Sequence, residues 1–427
     1  MNRELQVRAL ARIEGEGALR VVVEDGSVTA AQLRIYEPPR FFESFLRGRQ
    51  HSEAPDITSR ICGICPVAYQ TSAWLAIEDA CGVTVPPAIA ALRRLLYCGE
   101  WISSHALHIY LLHAPDFLGY PDAVALAKAN RAAVERGLRL KKAGNAVLEA
   151  IGGRAIHPVN TKVGGFYRAP AKAELAPLAA QLRQALEDAL ATAEWVAGFD
   201  FPDHEVGCDL LAAAEPDRYA IESGQIASAS GRRFPPAEFA QHVAEHQVPH
   251  STALHAAMEG EAYLTGPLAR YTISSARLSP IAREAAAAAG LGDTCRNPYR
   301  SIVVRAVEIV YAVDQALAII GSYERPDPAS VEVPPAAGTG HGVSEAPRGL
   351  LYHRYRLDGA GRIEAAVIVP PTSQNQAAIE ADLLTVAAAG IDLGDDELTA
   401  RCERTIRNYD PCISCSTHFL KLTVERR

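Results

Sequence analysis

"RICGICPVAYQTSAWLAIEDACG", residues 60–82, places two cysteines three positions apart directly before a predicted helix. Apolar residues recur at steps of three and four from Val67 to Cys81, with proline at the first helical position and glycine just past the end. This punctuation is typical of a helix over 66–81. Cys65 would be its N-cap residue, where the helix dipole lowers the pKa of a thiol and favours the metal-binding thiolate.

The same cysteine spacing returns near the other end of the chain, in "DPCISCSTH", residues 410–418. Two Cys-x-x-Cys pairs can close a structural zinc site, which usually staples one small local fold. Here a large helical stretch separates the pairs and each is next to a proline, so we interpret them as two halves of one buried site. Thiolates are soft ligands that suit iron, nickel, copper and zinc. The other cysteines are interpreted as small buried residues rather than ligands: Cys81, Cys98, Cys208, Cys295 and Cys402.

Composition is that of an ordinary globular protein. The chain has 427 residues, 48% of them hydrophobic and 22% charged, with a formal net charge of −8. This length is enough for two or three packed subregions around a dry interior, and the charge gives no signal for nucleic acid as a partner. No apolar signal-peptide core and no run of about 18 apolar residues is visible, so we expect no membrane span and a cytoplasmic location. In that reducing compartment the cysteines should be thiols.

Periodicity predicts an α+β fold that is mainly α-helical, with a bundle of long helices as its core and small antiparallel β units near the N- and C-terminal regions. Further helical stretches are 97–113, 175–199 and 301–323. Alternation predicts antiparallel hairpins in 5–36 and in 351–370, the second turning at Asp358 to Gly361. Proline and glycine are so frequent in 324–349 that we expect no regular structure there. The expected segments are 1–60 (N-terminal β unit and connection), 61–325 (helical bundle with the first cysteine pair) and 326–427 (C-terminal β and loop region with the second pair).

Six motifs occur in an order that makes the sequence resemble a known family: "ARIEGEG", "PPRFFESFLRGR", "RICGIC", "GGRAIHPVNTKVGGF", "EAPRG" and "DPCISCSTH". Over its whole length the chain looks like the large, catalytic subunit of a nickel-iron hydrogenase. Each motif alone is weak, whereas the combination of "RICGIC" with the proline-preceded "DPCISC" is specific. The resemblance implies the large-subunit fold of that family and reversible heterolytic cleavage of H2 at a buried nickel-iron site.

The resemblance also implies the roles of the paired cysteines. Cys62 and Cys412 would be terminal nickel ligands, while Cys65 and Cys415 would bridge nickel to an iron that carries carbon monoxide and cyanide, Ni-Fe(CO)(CN)2. No cysteine set remains for an iron-sulfur cluster, so electrons are expected to leave through an iron-sulfur small subunit. From there they would reach NAD(P) through flavin- and NAD(P)-binding subunits, with sulfur or polysulfide as the alternative acceptor.

Other motif positions imply the groups around the metals. Glu14 in "RIEG" matches a carboxylate that accepts a proton from Cys412, since splitting H2 requires a base beside the metal. Arg348 would lie over the open side of the metals with Asp410 as its partner, because a planar guanidinium can donate to a cyanide. The residues expected to contact the iron's ligands are Pro347, Arg348 and Thr372.

A second, hard-cation site is also implied by the resemblance. Glu43 and His418 would bind magnesium, joined by the backbone carbonyl of Ile368, and magnesium prefers oxygen ligands and retains water. In the family a maturation protease removes the tail after this histidine, which predicts cleavage of residues 419–427. His157 in "IHP" is interpreted as a core histidine that holds loops by hydrogen bonds.

Two positions depart from the family pattern. Tyr69 stands where many members have a histidine, four residues past the second cysteine, which alters or removes a hydrogen bond near a bridging thiolate. Ser104 stands where membrane-linked members have an acidic residue, which removes one carboxylate from the surroundings of the arginine. Both features resemble the soluble branch that couples H2 to pyridine nucleotides and includes the sulfur-reducing hydrogenases.

Two alternatives stay open from sequence alone. The chain could be a relative that lost its metals, like the quinone-site subunit of respiratory complex I, although all four paired cysteines are retained. It could also be a non-catalytic scaffold in which the four thiolates hold zinc. A nicotinamide site within this chain is not expected, because "GTGHGV" does not match G-x-G-x-x-G.

Overall fold

The computed structural model describes residues 3–38 and 40–417 of the chain. In those residues the architecture is mixed α+β and mainly helical, which confirms the expected fold class. The α-helices of the described part are α1 Phe42–Leu46, α2 Ala54–Ser59, α3 Pro66–Cys81, α4 Pro87–Leu107, α5 Ala114–Leu118, α6 Ala123–Ala129, α7 Arg131–Gly152, α8 Lys172–Ala197, α9 Phe239–His242, α10 Pro267–Ser274, α11 Pro280–Ala288, α12 Ser301–Gly321, α13 Pro371–Ala389, α14 Asp395–Asn408 and α15 Ile413–Ser416.

The strands form small sheets around these helices. They are β1 Arg3–Val7, β2 Gly17–Glu24, β3 Ser27–Ile35, β4 Thr161–Lys162, β5 Gly165–Phe166, β6 Asp209–Ala214, β7 Gln225–Ser228, β8 Arg233–Phe234, β9 Val243–His246, β10 His255–Met258, β11 Tyr263–Leu264, β12 Gly338–Ala346, β13 Gly349–Leu357 and β14 Ile363–Val369. Strands β1-β2-β3 and β12-β13-β14 are antiparallel sheets. Strand β11 pairs parallel to β6 at the edge of β11-β6-β7-β8, and β4-β5 and β9-β10 are hairpins.

The helical periodicity of the sequence identifies α3, α4, α8 and α12, whereas the long helices α7 and α13 were not predicted. Helix α3 spans the residues that the pattern predicts and ends at Gly82, whose φ of 66° is the left-handed conformation of a helix C-cap. Helix α4 continues into a π-helical turn, His108–His113. Helices α4, α7, α8 and α12 pack on one another as the central bundle, since α4 contacts α7 and α12, and α12 contacts α8.

The expectation that 324–349 has no regular structure is wrong for its second half, which forms β12. The glycines of this strand let it lie against α3 at backbone contact distance. A Cβ at Gly340 would meet the carbonyl oxygen of Ala76 at 2.0 Å, and one at Gly342 would meet that of Ser72 at 2.3 Å. Because the strand runs opposite to the helix, the residues that follow β12 arrive where α3 begins.

The strands between residues 209 and 264 were also not predicted. The sequence analysis expects only a helical bundle in this part of the chain. Strand β6 is "DLLAAA" and β10 is "HAAM", so alanine replaces the β-branched and aromatic residues that mark a strand. All the residues of β6 after Asp209 are buried, and a fully buried strand has no polar alternation to detect.

One hydrophobic core joins the three segments expected from sequence. Its buried side chains include Leu5 of β1, Trp74 of α3, Ile309 of α12 and Cys415 of α15. None of the helices in the part of the chain that the structure describes combines the length and apolar character that a membrane span needs.

Candidate metal centre

The two cysteine pairs meet in the interior of the protein. The Sγ atoms of Cys62 and Cys412 are 3.4 Å apart, those of Cys65 and Cys415 are 3.7 Å apart, and those of Cys412 and Cys415 are 2.9 Å apart. All four side chains are buried thiols without disulfides, and their sulfur atoms lie within 4.8 Å of one another. Four sulfurs around one cation at about 2.3 Å would be about 3.8 Å apart, so the group has the size of a metal site.

The first pair is held by the start of α3. Cys65 is the N-cap residue but makes no side-chain capping bond. Instead Glu100 of α4 accepts the free N–H groups of the first turn, from Val67 at 2.6 Å and from Ala68 at 3.1 Å. A carboxylate at this position satisfies the helix terminus from outside. The Cys65 thiol is therefore left to face the other sulfurs.

The second pair is held by segments from distant parts of the chain. Cys412 forms an isolated parallel bridge with Glu14, in which the Ile413 N–H donates to the Glu14 carbonyl at 3.0 Å. The Cys412 N–H donates to the Thr372 hydroxyl at 3.0 Å, at the start of α13. Gly15 allows the close approach, since its φ is 87° and a Cβ there would lie 2.5 Å from the Cβ of Ile413.

The carboxylate of Glu14 touches the sulfur cluster directly. Its Oε2 atom accepts from the Cys412 Sγ at 3.1 Å and from the Ser414 N–H at 3.0 Å. The Glu14 side chain is half-buried, so the carboxylate lies between the buried sulfurs and the outer part of the protein. This arrangement can carry a proton away from Cys412.

Arg40 of the "PPRFF" motif links the two cysteine segments, a role that sequence analysis did not assign. Its Nη1 donates to the carbonyl of Ile61, the residue before Cys62, at 3.1 Å. Its Nη2 donates to the hydroxyl of Ser414, between the two later cysteines, at 2.7 Å.

Two of the four thiols have pKa values that are shifted in opposite directions. Hydrogen bonds from the Cys412 and Cys415 thiols hold the pKa of Cys62 well below its usual range, with Arg348 contributing. Burial raises the pKa of Cys412 well above its usual range, and the neighbouring sulfurs raise it further. The chain alone thus favours a thiolate at Cys62 and a thiol at Cys412. A bound cation is what allows both to be thiolates, because metal binding releases the thiol protons.

Arg348 lies beside these sulfurs, just past the end of β12. It is buried, and its Nε and Nη2 donate to Asp410 at 2.8 and 3.0 Å. Asp410 has a φ of 50° and also lies 3.5 Å from Arg305, so one carboxylate serves two guanidiniums. Although burial favours the neutral form, Asp410 and the thiolates raise the pKa of Arg348 well above its usual range.

The Nη1 atom of Arg348 is buried and has no hydrogen-bond partner among the described residues. A buried donor without a partner is costly, and an anionic or polar group bound at the sulfurs would satisfy it. Together with four buried soft donors, this atom fits a metal group that carries small acceptor ligands.

A buried ion network lies behind Arg348, and sequence analysis missed it. Arg270 donates to Glu308 at 2.7 and 2.8 Å and to Glu345 at 2.9 Å, and it also donates to the Pro347 carbonyl at 3.2 Å. Burial is the main reason that the pKa of His105, which contacts Glu308 at 3.0 Å, falls to about 4. The network fixes the Pro347 backbone and thereby the direction in which Arg348 leaves the strand.

Tyr69 packs against the second pair from the side of α3. Its buried ring lies 5.8 Å from that of His353, tilted by 50°. Burial, the nearby Cys415 and Cys65 thiols and a hydrogen bond to Cys415 raise the pKa of Tyr69 well above its usual range. The phenol therefore stays protonated beside the sulfurs.

Part of the predicted magnesium site lies within the described residues. The Glu43 Oε1 atom accepts the N–H of Ile368 at 2.8 Å, which joins α1 to β14. His418 and the expected tail 419–427 lie outside the described residues. The magnesium site remains a prediction.

The remaining candidates have structural surroundings. His157 is half-buried rather than part of the core, with a φ of 51°, and its Nδ1 contacts the carbonyl of Ser59 at 2.8 Å, which joins its loop to the end of α2. Ser104 is buried, and its hydroxyl has no partner within the described ranges. Of the five unpaired cysteines, Cys98, Cys295 and Cys402 are buried, whereas Cys81 and Cys208 are half-buried.

These contacts define a soft-metal site: four buried thiols meet across the helical core, with a carboxylate in contact with one of them and an arginine beside them. Comparison with known proteins identifies which kind. The nickel-dependent hydrogenase family matches residues 40–170 and 258–418. The chain belongs to this family and is the catalytic large subunit of a nickel-iron hydrogenase.

Individual relatives cover almost the whole chain. Sulfhydrogenase 1 subunit alpha of Pyrococcus furiosus is 34% identical over 417 residues, 97% of each chain. Sulfhydrogenase 2 subunit alpha of the same organism is 34% identical over 430 residues, 98% of this chain and 100% of that one. Among solved structures, the NAD+-reducing [NiFe]-hydrogenase in the H2-reduced state aligns with a TM-score of 0.84 at 26% identity, over 97% of this chain and 99% of that one.

Proposed function

We propose that this hydrogenase splits H2 reversibly and heterolytically, with Cys412 and Glu14 as the first two proton carriers. The observation that carries the proposal is the 3.1 Å contact between the Cys412 Sγ and the Glu14 Oε2 within the sulfur cluster. When bound by Cys62, Cys65, Cys412 and Cys415, the nickel-iron group supplies the redox and Lewis-acid chemistry of the reaction.

The proton leaves the cluster along the chain's own groups. The Cys412 Sγ atom is the sulfur in contact with Glu14, so it would receive the proton that H2 cleavage releases. Glu14 accepts that proton at Oε2, whose position is fixed by the Ser414 N–H at 3.0 Å. Because Glu14 is half-buried, its next proton transfer is outward. The distance of 3.1 Å between the Cys412 Sγ and the Glu14 Oε2 is within the range in which general acid–base transfer is efficient.

Arg348 and Thr372 orient the diatomic ligands of iron in this proposal. The unpartnered Nη1 of Arg348 supports a hydrogen bond to a cyanide. The Thr372 hydroxyl accepts the Cys412 N–H, so its own proton is available to donate elsewhere. Pro347 would contact the same ligands, held by Arg270. Infrared bands of carbon monoxide and cyanide on the purified protein would test this ligand set.

The proton path is tested by Glu14→Gln, which keeps the shape of the side chain but cannot carry a proton. We expect H2/D+ exchange to fall by about 10²- to 10⁴-fold while nickel and iron content is unchanged. Glu16→Gln is the matched control, because Glu16 is exposed two residues away. Unchanged exchange in Glu14→Gln would remove Glu14 from the mechanism.

We infer that an iron-sulfur small subunit docks on the loop formed by residues 153–171, between α7 and α8, which lies beside the first cysteine pair. This loop contacts both flanks of the pair, through His157 on Ser59 and through the Pro158 carbonyl, which accepts from Gln70 at 2.8 Å. Large apolar side chains are exposed on it: Ile156, Val159 and Tyr167. Exposed apolar groups of this kind mark protein interfaces.

The interface is tested by Ile156→Asp, with Val124→Asp as the control at an exposed valine in another part of the chain. We expect Ile156→Asp to release the small subunit and lose turnover with an external dye, while metal content is kept. Full dye-linked turnover by the isolated large subunit would contradict the need for a partner.

The proposed electron acceptor follows from the relatives of the chain rather than from its metal centre. We favour NAD(P) reached through flavin subunits, because a NAD+-reducing hydrogenase aligns along the whole chain; the names of the sulfhydrogenase relatives support sulfur or polysulfide instead. Coupling to the pyridine nucleotide pool would place the enzyme in the cytoplasm. Purification with its partner subunits, followed by parallel NAD+, NADP+ and polysulfide assays, separates these acceptors.

Magnesium binding and processing are also proposed from the family resemblance. Glu43, the Ile368 carbonyl and His418 would hold magnesium, and a maturation protease would remove residues 419–427. The family match ends at residue 418, which supports this boundary. Intact mass spectrometry tests it, since active enzyme should end at His418. A fully active species that still carries the tail would contradict processing.

A further inference from the structure

A second group of metal-ligand side chains lies outside the sulfur centre. His250, His255 and Glu380 each bring one ligand atom within 4.8 Å of the others. They come from three elements, since His250 is in the loop after β9, His255 opens β10 and Glu380 is on α13. None of the three belongs to the sulfur centre.

The geometry is that of a formed site rather than a chance surface cluster. The His250 Nε2 and Glu380 Oε1 atoms are 2.8 Å apart, and the same oxygen accepts the Leu33 N–H of β3 at 2.9 Å. The rings of His250 and His255 have centroids 5.6 Å apart at an angle of 85°. The carboxylate and both imidazoles thus lie together, and the Leu33 N–H fixes the position of the carboxylate.

An unpartnered buried nitrogen points to a ligand. His255 is only 3% exposed, and its Nε2 has no hydrogen-bond partner among the residues that the structure describes. Burying an imidazole nitrogen without a partner costs free energy, which a bound cation would recover. The neutral form of His255 is the one that binds metals, and burial together with the neighbouring His250 and His246 lowers its pKa to about 4.

The site has a route to solvent through His250. His250 lines two surface cavities of about 400 and 250 Å³, which also border Arg34. Arg34 is near the entrance of the site. Within the described residues, the Glu380 carboxylate pairs with His250 and the Leu33 N–H and not with Arg34. Burial raises the pKa of Glu380, so a cation there would hold the carboxylate in its charged form.

We propose that His250, His255 and Glu380 bind one divalent transition-metal cation of the zinc class. Two imidazoles and one carboxylate are ligands that zinc accepts, with a fourth position left for water. Magnesium is disfavoured because two of the three donors are nitrogen. The cation would fasten β3 and the β9-β10 hairpin to α13, whose first turn carries Thr372 of the sulfur centre.

A matched histidine-carboxylate pair elsewhere shows what a site of this kind requires. His242 and Glu259 are 3.2 Å apart, but Glu259 is also paired with Arg232, and all three side chains are at least partly exposed. The arginine already neutralises that carboxylate, and the pair lacks a third ligand. His242→Gln is therefore the control variant.

The test is a Zn2+ titration of the purified holoenzyme, followed by zinc X-ray absorption. We expect one zinc equivalent in addition to nickel and iron, with nitrogen and oxygen ligands and no sulfur. His250→Gln and Glu380→Gln should each weaken zinc affinity about tenfold or more, whereas His242→Gln should not. His250 is half-buried, so its variant keeps the test valid if a change at buried His255 prevents folding.

The result does not depend on the hydrogenase centre. Cys65→Ser, which should lose nickel, is expected to bind zinc at this second site as the parent protein does. Absence of saturable zinc binding by the parent protein, or equal zinc affinity in the parent, His250→Gln and Glu380→Gln, would overturn the proposal.

Discussion

The two cysteine pairs reach the same point in the protein by different means. Cys62 and Cys65 precede a helix of 16 residues, which β12 contacts along its length and Glu100 caps from α4. Cys412 and Cys415 lie in a short segment that donates hydrogen bonds to Glu14 and Thr372 and accepts one from Arg40. Both halves are buried, but the first belongs to a long packed helix, whereas the second is a short segment fastened by contacts with distant elements.

This difference matters for assembly. We expect the first half to form with the helical bundle, whereas the second half needs Glu14, Thr372 and Arg40 in place before it can close. The proposed removal of the tail after His418 would act on the second half. Substitutions that disrupt one cysteine segment and leave the other intact test this difference.

The largest effect is expected at a ligand of the first half. Cys65→Ser replaces a soft donor with a hard one, so nickel binding and hydrogen turnover should be abolished. Cys81→Ser is the matched control at the opposite end of α3, and it should keep both. Nickel content and H2 uptake measure the outcome; full nickel in Cys65→Ser would make the assignment wrong.

A smaller but still large loss is expected at Arg348. Arg348→Lys keeps the charge but loses the planar fork that pairs with Asp410 and leaves Nη1 free. Turnover should fall by about 10²- to 10³-fold, as for removal of a fixed donor in an active site, while nickel is retained. Arg356→Lys, at an exposed arginine of β13, is the control. Wild-type turnover in Arg348→Lys would exclude a catalytic contact.

The packing of the first half is tested at Gly340. In Gly340→Ala the new Cβ meets the Ala76 carbonyl, so β12 must move away from α3. Overpacking of this kind costs about 1–3 kcal/mol, which thermal unfolding should detect as a lower midpoint. Gly359→Ala is the control, since no atom lies within 4 Å of the added carbon. Equal midpoints would mean that β12 does not fix the helix.

The fastening of the second half is tested at Arg40. Arg40→Ala removes the bonds to Ile61 and Ser414 that link the two halves. Because the side chain is partly exposed, we expect a local loss of about 1 kcal/mol and a several-fold faster release of nickel to a chelator. Arg49→Ala, an exposed arginine paired with Glu53, should release nickel at the parent rate. An unchanged rate in Arg40→Ala would show that the halves do not depend on this link.

The same contrast explains how much the sequence could predict. Helix α3, its boundaries and Cys65 as N-cap follow from local periodicity and punctuation, which act over a few residues. Glu100 and Arg40 could not be identified as partners of the cysteine segments, because each acts across elements that only the tertiary fold brings together. Strand β12 was missed for a related reason: its glycines serve contact with α3, whereas in sequence they indicate a loop.

The roles of Glu14 and Arg348 came from motif resemblance rather than from physical pattern. A glutamate outside a helix and an arginine after proline are each more often exposed. The His250, His255 and Glu380 group had no motif at all, since its members are separated by up to 130 positions. Long-range side-chain clusters become visible only when the fold is known.

We propose that the four thiols of the two cysteine pairs hold one nickel and one iron. Metal analysis of the purified enzyme with its partner, combined with nickel X-ray absorption, tests it most directly. We expect one nickel and one iron per large subunit in addition to the partner's iron, with nickel coordinated by sulfur. Zinc with four sulfur ligands at the centre, and no nickel, would contradict it.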